Sequence, residues 1–317
     1  FLAAAVLVTE FFVVALPLMI TSAKADGHPI QAITHAGFGG GTDVTTRMML
    51  LRTRRYLKQD MQLVNKKGGG GAASMDYMMT LPADGQHTLT WTTGHAVSMA
   101  LGKTKVKLSD MQPLARGTDD PQLFVVNCKN DIKDAKKFIS AQKSKSLKYG
   151  TTHVGGIDDV SAIAFTKKGK LTDPTIVPYK GVGPIKTNLI KGDIDVGVLN
   201  LGEAVTEIED GTLCVSVVLA SNRMEKLSNV PTATELGIPV VLSTVRGFVT
   251  RKGVPADRKK QLEDAMIKAM EHKYFQSFLT DIGLDSTSVV GADEWGKQME
   301  VMLAEMTAQL KALGYIN

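Results

Sequence analysis

The stretch Thr34-His35-Ala36-Gly37-Phe38-Gly39-Gly40-Gly41-Thr42-Asp43-Val44-Thr45-Thr46-Arg47 has the residue types to hold an anion without a metal. A short apolar run ending at Thr34 breaks into glycines, and a helix-like pattern follows. Such a strand–glycine loop–helix junction aims unpaired backbone N–H groups and the positive end of a helix dipole at one spot. A nucleotide phosphate, a reacting substrate and a solute that is only held are the three kinds of guest to weigh.

Nucleotide templates fit poorly. Gly37-x-Gly39-x-x-Thr42 lacks the third glycine of a dinucleotide fingerprint, and Asn65 stands where an acidic residue would hold a ribose. Gly102-Lys103-Thr104 lacks the upstream glycine of a phosphate loop, because Val97 occupies that place. Neither a Gly-x-Ser-x-Gly elbow nor a His-Glu-x-x-His pair occurs in the sequence. The histidines His28, His35, His87, His95, His153 and His272 show no metal spacing. Of these, His35, His95 and His153 each follow an expected strand, so they either meet in a cleft or are ordinary loop residues. No nucleophile–base pair stands out. The sequence therefore reads as a binder with no catalytic residue, metal or cofactor. Backbone amides at Gly39–Asp43 and Gly68–Gly71 could hold one carboxylate. Thr151, Thr152, Tyr179 and Asn200 could complete a cage on closure, with Lys180 adding a charge.

The elements that must position these groups are legible in the hydrophobic pattern. Strands are expected at Ile30–Thr34, Met61–Val64 and Thr88–Thr92, separated by helices at Val44–Leu57 and Ala72–Met79. After the strand Leu123–Asn127 the rhythm restarts. Helices Asp134–Gln142, Val160–Lys167 and Ile185–Ile190 alternate with strands Leu147–Gly150, Thr175–Pro178, Ile194–Leu199 and Leu213–Ala220. An extended run, Val245–Thr250, then leads to two closing helices. The first opens at Pro255 and carries Leu262, Met266, Met270 and Phe278. The second opens near Asp293, carries Trp295, Met299, Met302, Met306 and Leu310, and stops at Gly314. Alternation of this kind argues for α/β architecture with mostly parallel sheets. Two successive units with a C-terminal return imply two lobes and a cleft. The glycine-rich breaks fall at the carboxyl ends of strands, where ligands of such sheets bind.

Composition narrows the class. The chain has 317 residues, 44% hydrophobic and 22% charged, enough for two lobes that each bury a core. The net charge of +5 is spread out, and the basic group Arg47 to Lys58 has the spacing of a solvated helix face rather than of a nucleic-acid surface. Residues Phe1 to Ile20 are almost wholly apolar and are followed by Ala23-Lys24-Ala25, which reads as a signal peptide cut after Ala25. A retained anchor or a buried helix are the alternatives, against which Glu10 and Pro17 count. Cys128 and Cys214 either bridge in an oxidising compartment or stay as two buried thiols.

The loops together resemble the periplasmic solute-binding proteins of tripartite tricarboxylate transporters, the TctC or Bug family. The pieces are Gly39-Gly40-Gly41-Thr42-Asp43 with Arg47, Asn65-Lys66-Lys67-Gly68-Gly69-Gly70-Gly71 and Pro82-Ala83-Asp84-Gly85-Gln86-His87-Thr88-Leu89. Then come Leu147-Lys148-Tyr149-Gly150, Val177-Pro178-Tyr179-Lys180-Gly181-Val182-Gly183-Pro184, Gly192-Asp193-Ile194-Asp195 and Asn229-Val230-Pro231-Thr232 with Glu235 and Gly237. They occur in family order from about Ile30 onward. The resemblance implies a two-lobed fold of the type II periplasmic-binding-protein kind, with residues 1–25 a signal peptide, 26–125 plus 245–317 lobe one, and 126–244 lobe two. It further implies a monomeric periplasmic receptor that closes over a small carboxylate and delivers it to membrane permease subunits. A periplasmic enzyme on a small carboxylate and a sensor feeding a membrane kinase are the alternatives. Ligand contacts are expected from Phe38, Gly39, Gly40, Thr42, Asp43, Gly70 and His95 on lobe one. On lobe two they are Thr151, Thr152, Gly155, Gly156, Asp158, Tyr179 and Asn200.

The sequence departs from the family pattern in places. His35-Ala36-Gly37-Phe38 replaces the usual Pro-Phe-x-Pro, and Gly155-Gly156-Ile157-Asp158-Asp159 replaces a Ser or Thr followed by His. Asp119, Asp120 and Glu203 fall where the family is usually neutral. Like charges roughly 4 Å apart cost about 4 kcal/mol at an effective dielectric of 20. If these acids face the cage, the solute also bears an amine or cation; if Asp158 and Asp159 only cap a helix, they face water.

Overall fold

A computed structural model of the chain describes residues 28–152, 154–312 and 314–316. The expected signal peptide and His153 lie outside the described residues. The chain begins with β1 (Ile30–Thr34), α1 (Gly41–Leu57), β2 (Met61–Asn65), α2 (Ala72–Met79), β3 (His87–Thr92), α3 (Thr93–Ala100) and β4 (Met111–Pro121). It continues through β5 (Leu123–Asn127), α4 (Ala135–Ser144), β6 (Lys148–Thr151), α5 (Ile157–Lys168), β7 (Thr175–Pro178), α6 (Val182–Lys191), β8 (Val196–Leu199), α7 (Leu201–Glu209) and β9 (Leu213–Val218). The return is β10 (Ser243–Arg251), α8 (Ala256–Glu271), α9 (Lys273–Asp281), β11 (Val290–Gly291) and α10 (Ala292–Ala312).

Two sheets result, ordered β11-β4-β10-β3-β1-β2 and β7-β6-β8-β5-β9. They are mixed rather than mostly parallel. The βαβ units give parallel pairs (β1 with β2 and β3, β6 with β7 and β8), because a helix must carry the chain back before the next strand. The strands that enter and leave each lobe, β4, β10, β5 and β9, pair antiparallel.

The chain passes between sheets at Gln122, which alone separates β4 from β5. Its N–H donates to the Leu242 carbonyl and its carbonyl accepts from Leu219 N–H, both at 2.9 Å. Because β5 pairs wholly within the second sheet, the crossing lies three residues before the boundary at Val125 that the sequence suggested.

Strand alternation sorts the cores. In β5, Phe124 and Val126 face one way and Leu123 and Val125 the other. The first pair joins Phe138, Tyr149 and Phe165 under α4 and α5. That cluster runs without a break into Met306, Met302, Trp295 and Trp91 along α10. Helix α10 thus packs on both sheets' layers and ties the lobes from behind.

Helix α1 buries an unusual stripe: Thr42, Thr45, Thr46, Met49 and Thr53 face inward, while Leu51 and Tyr56 are exposed. Thr45, Thr46 and Thr53 tolerate this because their hydroxyls bond carbonyls four residues back, as Thr46 does to Thr42 at 2.7 Å, while the Thr42 hydroxyl accepts from Arg246. The helix expected from Pro255 onward breaks at His272 into α8 and α9. Cys128 and Cys214 form a disulfide between the end of β5 and the start of β9. Among the described residues no helix is long and apolar enough to cross a membrane.

Candidate functional site

The turn before α1 is built by a local rule. Gly39 takes φ +76°, a conformation that favours glycine, and this swings its N–H back toward the helix. Asp43, four residues on and 1% exposed, accepts that N–H on Oδ2 at 3.0 Å and also binds Arg47 Nε at 2.9 Å. Gly40 is the extended residue before the helix, so the first-turn amides of Gly41, Thr42 and Asp43 have no intrahelical partner. Arg47 reaches over the ring of Phe38, which is 87% exposed at the loop tip. Phe38 therefore faces water.

Lobe two repeats this construction. Gly155 takes φ +69°, and its N–H donates to Asp159 Oδ2 at 2.6 Å, again four residues on. Gly156 is the extended residue before α5. Asp158 accepts both the Thr152 N–H at 2.8 Å and the Thr152 hydroxyl at 2.6 Å. Asp158 and Asp159 are both buried. They neither point bare charge at the cleft nor face water; they are spent on holding their own turn. Thr151, fully buried at the end of β6, accepts the Tyr179 N–H on its carbonyl at 2.8 Å. Tyr179 is half-buried and Lys180 exposed.

The Gly68–Gly71 turn serves lobe one differently. All four glycines have positive φ, and the carbonyls of Gly69 and Gly70 accept the Ser98 hydroxyl at 2.9 Å. A Cβ on Gly71 would stand 2.8 Å from the His95 ring. His95 is the wedge behind this turn and not a residue of the cleft surface. It is fully buried; Nδ1 accepts from Thr92 N–H at 3.0 Å, and Nε2 pairs with the Ser74 hydroxyl at 3.0 Å. Burial holds its pKa well below the usual imidazole value, so the ring is neutral. His35 packs edge-on against it with ring centroids 4.4 Å apart.

Between the lobes lies a residue that the sequence reading did not single out. Arg246 of β10 is 3% exposed. Its Nη1 donates to Asp120 Oδ2 at 3.1 Å, its Nε to the Thr42 hydroxyl at 3.3 Å, and its Nη2 to Asn200 Oδ1 at 3.4 Å. One guanidinium thus links the first turn of α1, the end of β4 and the residue that opens α7. It lies so close under α1 that a Cβ on Gly41 would stand 2.6 Å from Nη2. Asn200 uses its amide N–H groups on the Asp120 and Pro121 carbonyls at 2.9 and 3.0 Å, and its backbone N–H goes to Glu203 at 3.0 Å.

Burial pushes Asp120 up to about 7, with Arg246 opposing and Glu203 and Asp119 adding to the rise. Burial likewise raises Glu203. Asp119 is spent elsewhere, on Arg116 at 3.3 Å and Gln298 at 3.0 Å. The clue to Arg246 was available: a charged residue inside the otherwise apolar run Val245 to Val249 requires a buried partner.

At the mouth, a Cβ on Gly155 would lie 3.5 Å from Leu101 Cδ1 and 3.8 Å from Lys103 Nζ, so lobe one reaches the lobe-two turn there. Arg246 joins Thr42 at the start of α1 to Asn200 at the start of α7. Among the described residues no group of three or more His, Cys, Asp or Glu side chains could hold a metal.

Two α/β lobes joined by strand crossings give the chain the fold of a periplasmic binding protein. The chain belongs to the tripartite tricarboxylate transporter family receptors (TctC), whose family model matches residues 45–313. BugT of Bordetella pertussis is 27% identical over 220 residues, which is 67% of this chain and 66% of that protein. A TctC solute-binding protein from Polaromonas, solved without ligand, superposes with a TM-score of 0.76 at 24% identity, over 91% of this chain and all of its own. MatC from Rhodopseudomonas palustris, solved with bound malate, gives 0.78 at 23% identity over 89% of this chain and 98% of that one. The two solved structures share this chain's fold.

Proposed function

We propose that this chain is an extracytoplasmic receptor that captures a small carboxylate-bearing metabolite by lobe closure and passes it to the permease subunits of a tripartite tricarboxylate-type transporter. The observation that carries this reading is the matched pair of turns. Gly39 bonded to Asp43 and Gly155 bonded to Asp159 present two helix N-termini, one per lobe, built by the same i to i+4 brace. First-turn amides of a helix attract anions, and two such ends on opposite lobes can share one carboxylate only when the cleft closes. Family membership and the malate bound by MatC support a carboxylate as guest.

The lobes of this proposal are residues 26–122 with 243–317, and 123–242, meeting at the Gln122 crossing. Ligand contacts come from Gly40, Thr42 and Asp43 and from Thr151, Thr152, Gly156 and Asn200. Export with removal of residues 1–25 belongs to the same proposal, and N-terminal sequencing of the protein recovered from the periplasm checks it.

Calorimetric titration with butanoate, succinate, malate and adipate, each against the uncharged amide of the same length, tests the binding claim. At least one carboxylate should bind in the micromolar range and its amide should not. Equal binding of acid and amide would remove the anion clamp from the account.

A further inference from the structure

We propose that Asp120 and Arg246 form a second polar subsite in the cleft floor, which selects a solute carrying an ammonium group as well as the carboxylate held by the glycine turns. This rests on the receptor reading above and narrows its ligand to amine-bearing carboxylates.

Asp120 closes β4 just before the chain crosses between sheets, and it is 3% exposed. Its Oδ2 accepts from Arg246 at 3.1 Å, but its Oδ1 is buried without a hydrogen-bond partner. Buried carboxylate oxygens are normally satisfied, and an orphan of this kind asks for a donor. Asp43 repeats the pattern next to Thr42, with Oδ2 engaged twice and Oδ1 buried and unpartnered. Arg246 joins the two neighbourhoods, since its Nε takes the hydroxyl of Thr42, next in sequence to Asp43, while its Nη1 takes Asp120. Asp120 is thus one guanidinium away from Thr42, whose first-turn amide would grip the solute's carboxylate.

Charge points the same way. Arg246 is the chief positive charge for both Asp120 and Glu203, with Lys186 adding a smaller pull on Glu203, and its N–H groups are also shared with Thr42, Thr118 and Asn200. The strain shows in Asp120, which is pushed up to about 7 chiefly by burial. A neutral hydroxyl on the solute would satisfy Oδ1 but leave the charge unanswered, whereas an ammonium supplies both donor and charge. A second carboxylate at this place would meet Asp120 and Glu203 as like charges. A plain dicarboxylate is thus disfavoured where an amino acid or another amine-bearing acid is favoured. In the free protein a bound proton can quiet Oδ1, and an ammonium that takes its place must displace that proton.

The test is calorimetry on the full chain with butanoate, succinate, 2-aminobutanoate and 4-aminobutanoate, using wild type and Asp120→Asn. One of the amino acids should bind wild type at least tenfold more tightly than butanoate and succinate. Asp120→Asn should bring that preference, read as the ratio of the amino acid's affinity to butanoate's in the same variant, close to unity. A readout on wild type alone guards against a variant that folds poorly. Titrations in two buffers of different ionisation enthalpy should show proton release near pH 7 when the amine-bearing solute binds. Butanoate or succinate binding as tightly as both amino acids, a preference that survives Asp120→Asn, or no proton release would overturn the subsite and leave the receptor reading standing. Failure of all four, together with malate and adipate, would overturn both.

Discussion

At the scale of single residues, the two aspartate braces do more than fill a helix first turn. Asp43 fixes Gly39 and Asp159 fixes Gly155, so each turn is set before a solute arrives. Removing a buried charged acceptor costs about 2 kcal/mol. Asp43→Ala is therefore expected to lower unfolding free energy by that order and to weaken carboxylate binding at least tenfold, as read by urea unfolding and calorimetry. Unchanged affinity would mean that the turn does not need its brace. Gly41→Ala tests the floor. The new methyl would stand 2.6 Å from Arg246 Nη2, so the guanidinium has to leave Thr42 or Asn200. Solute affinity should fall with little loss of helix stability, since alanine is the better helix former. The pH dependence of stability follows from Asp120, which faces Arg246 of β10, Glu203 of α7 and its own neighbour Asp119. Its folded value of about 7 lies above the ordinary 3.8, so the folded state binds its proton more tightly than the unfolded state does. Its contribution to stability is then largest below about pH 4 and is lost as pH rises toward 7. Melting curves of wild type and Asp120→Asn should diverge between about pH 4 and 7, with wild type falling relative to the variant. Parallel curves would contradict the assignment.

At the scale of elements, the disulfide staples β5 to β9 in lobe two and closes a sequence separation of 86. Loop-closure entropy for a span of this length corresponds to about 4.6 kcal/mol. Unfolding with and without reductant should differ by that order, and overlapping curves would show that the bond constrains little. The same sheet shows what sequence can and cannot convey. The strands of the βαβ units were legible because each alternates or runs apolar between glycines, and both glycine turns were legible because their braces reach only four residues. Strand β4 was not, since Met111–Pro121 carries Arg116, Asp119 and Asp120 in the middle of a sheet. Those charges are matched by partners far off in the chain: Arg116 bonds the Thr287 and Ser288 carbonyls at 2.8 Å, and Asp120 bonds Arg246. Arg246 was missed for the same reason. His95 looked like a ligand because it follows a strand, yet a buried Ser74 and the Thr92 amide claim both its nitrogens. No local pattern announces such partners.

At the scale of the molecule, the lobes are joined by strand crossings at Gln122 and Leu242 and by α10, whose Trp295 packs in lobe one and whose Met306 and Leu310 continue the core toward α5. The proposed closure is then a modest hinge about these crossings with α10 following. On that proposal, the approach of Leu101 and Lys103 to Gly155 is where the mouth shuts. Small-angle scattering should show the radius of gyration shrink on addition of a bound carboxylate. A Leu101→Asp substitution should weaken binding by hindering that contact. The central claim is that one carboxylate is shared by the turns before α1 and α5. A crystal structure of the carboxylate complex tests it most directly. The account predicts solute oxygens within hydrogen-bonding distance of backbone N–H groups in both the Gly40–Asp43 and Gly156–Asp159 turns, and a carboxylate held by neither turn would contradict it.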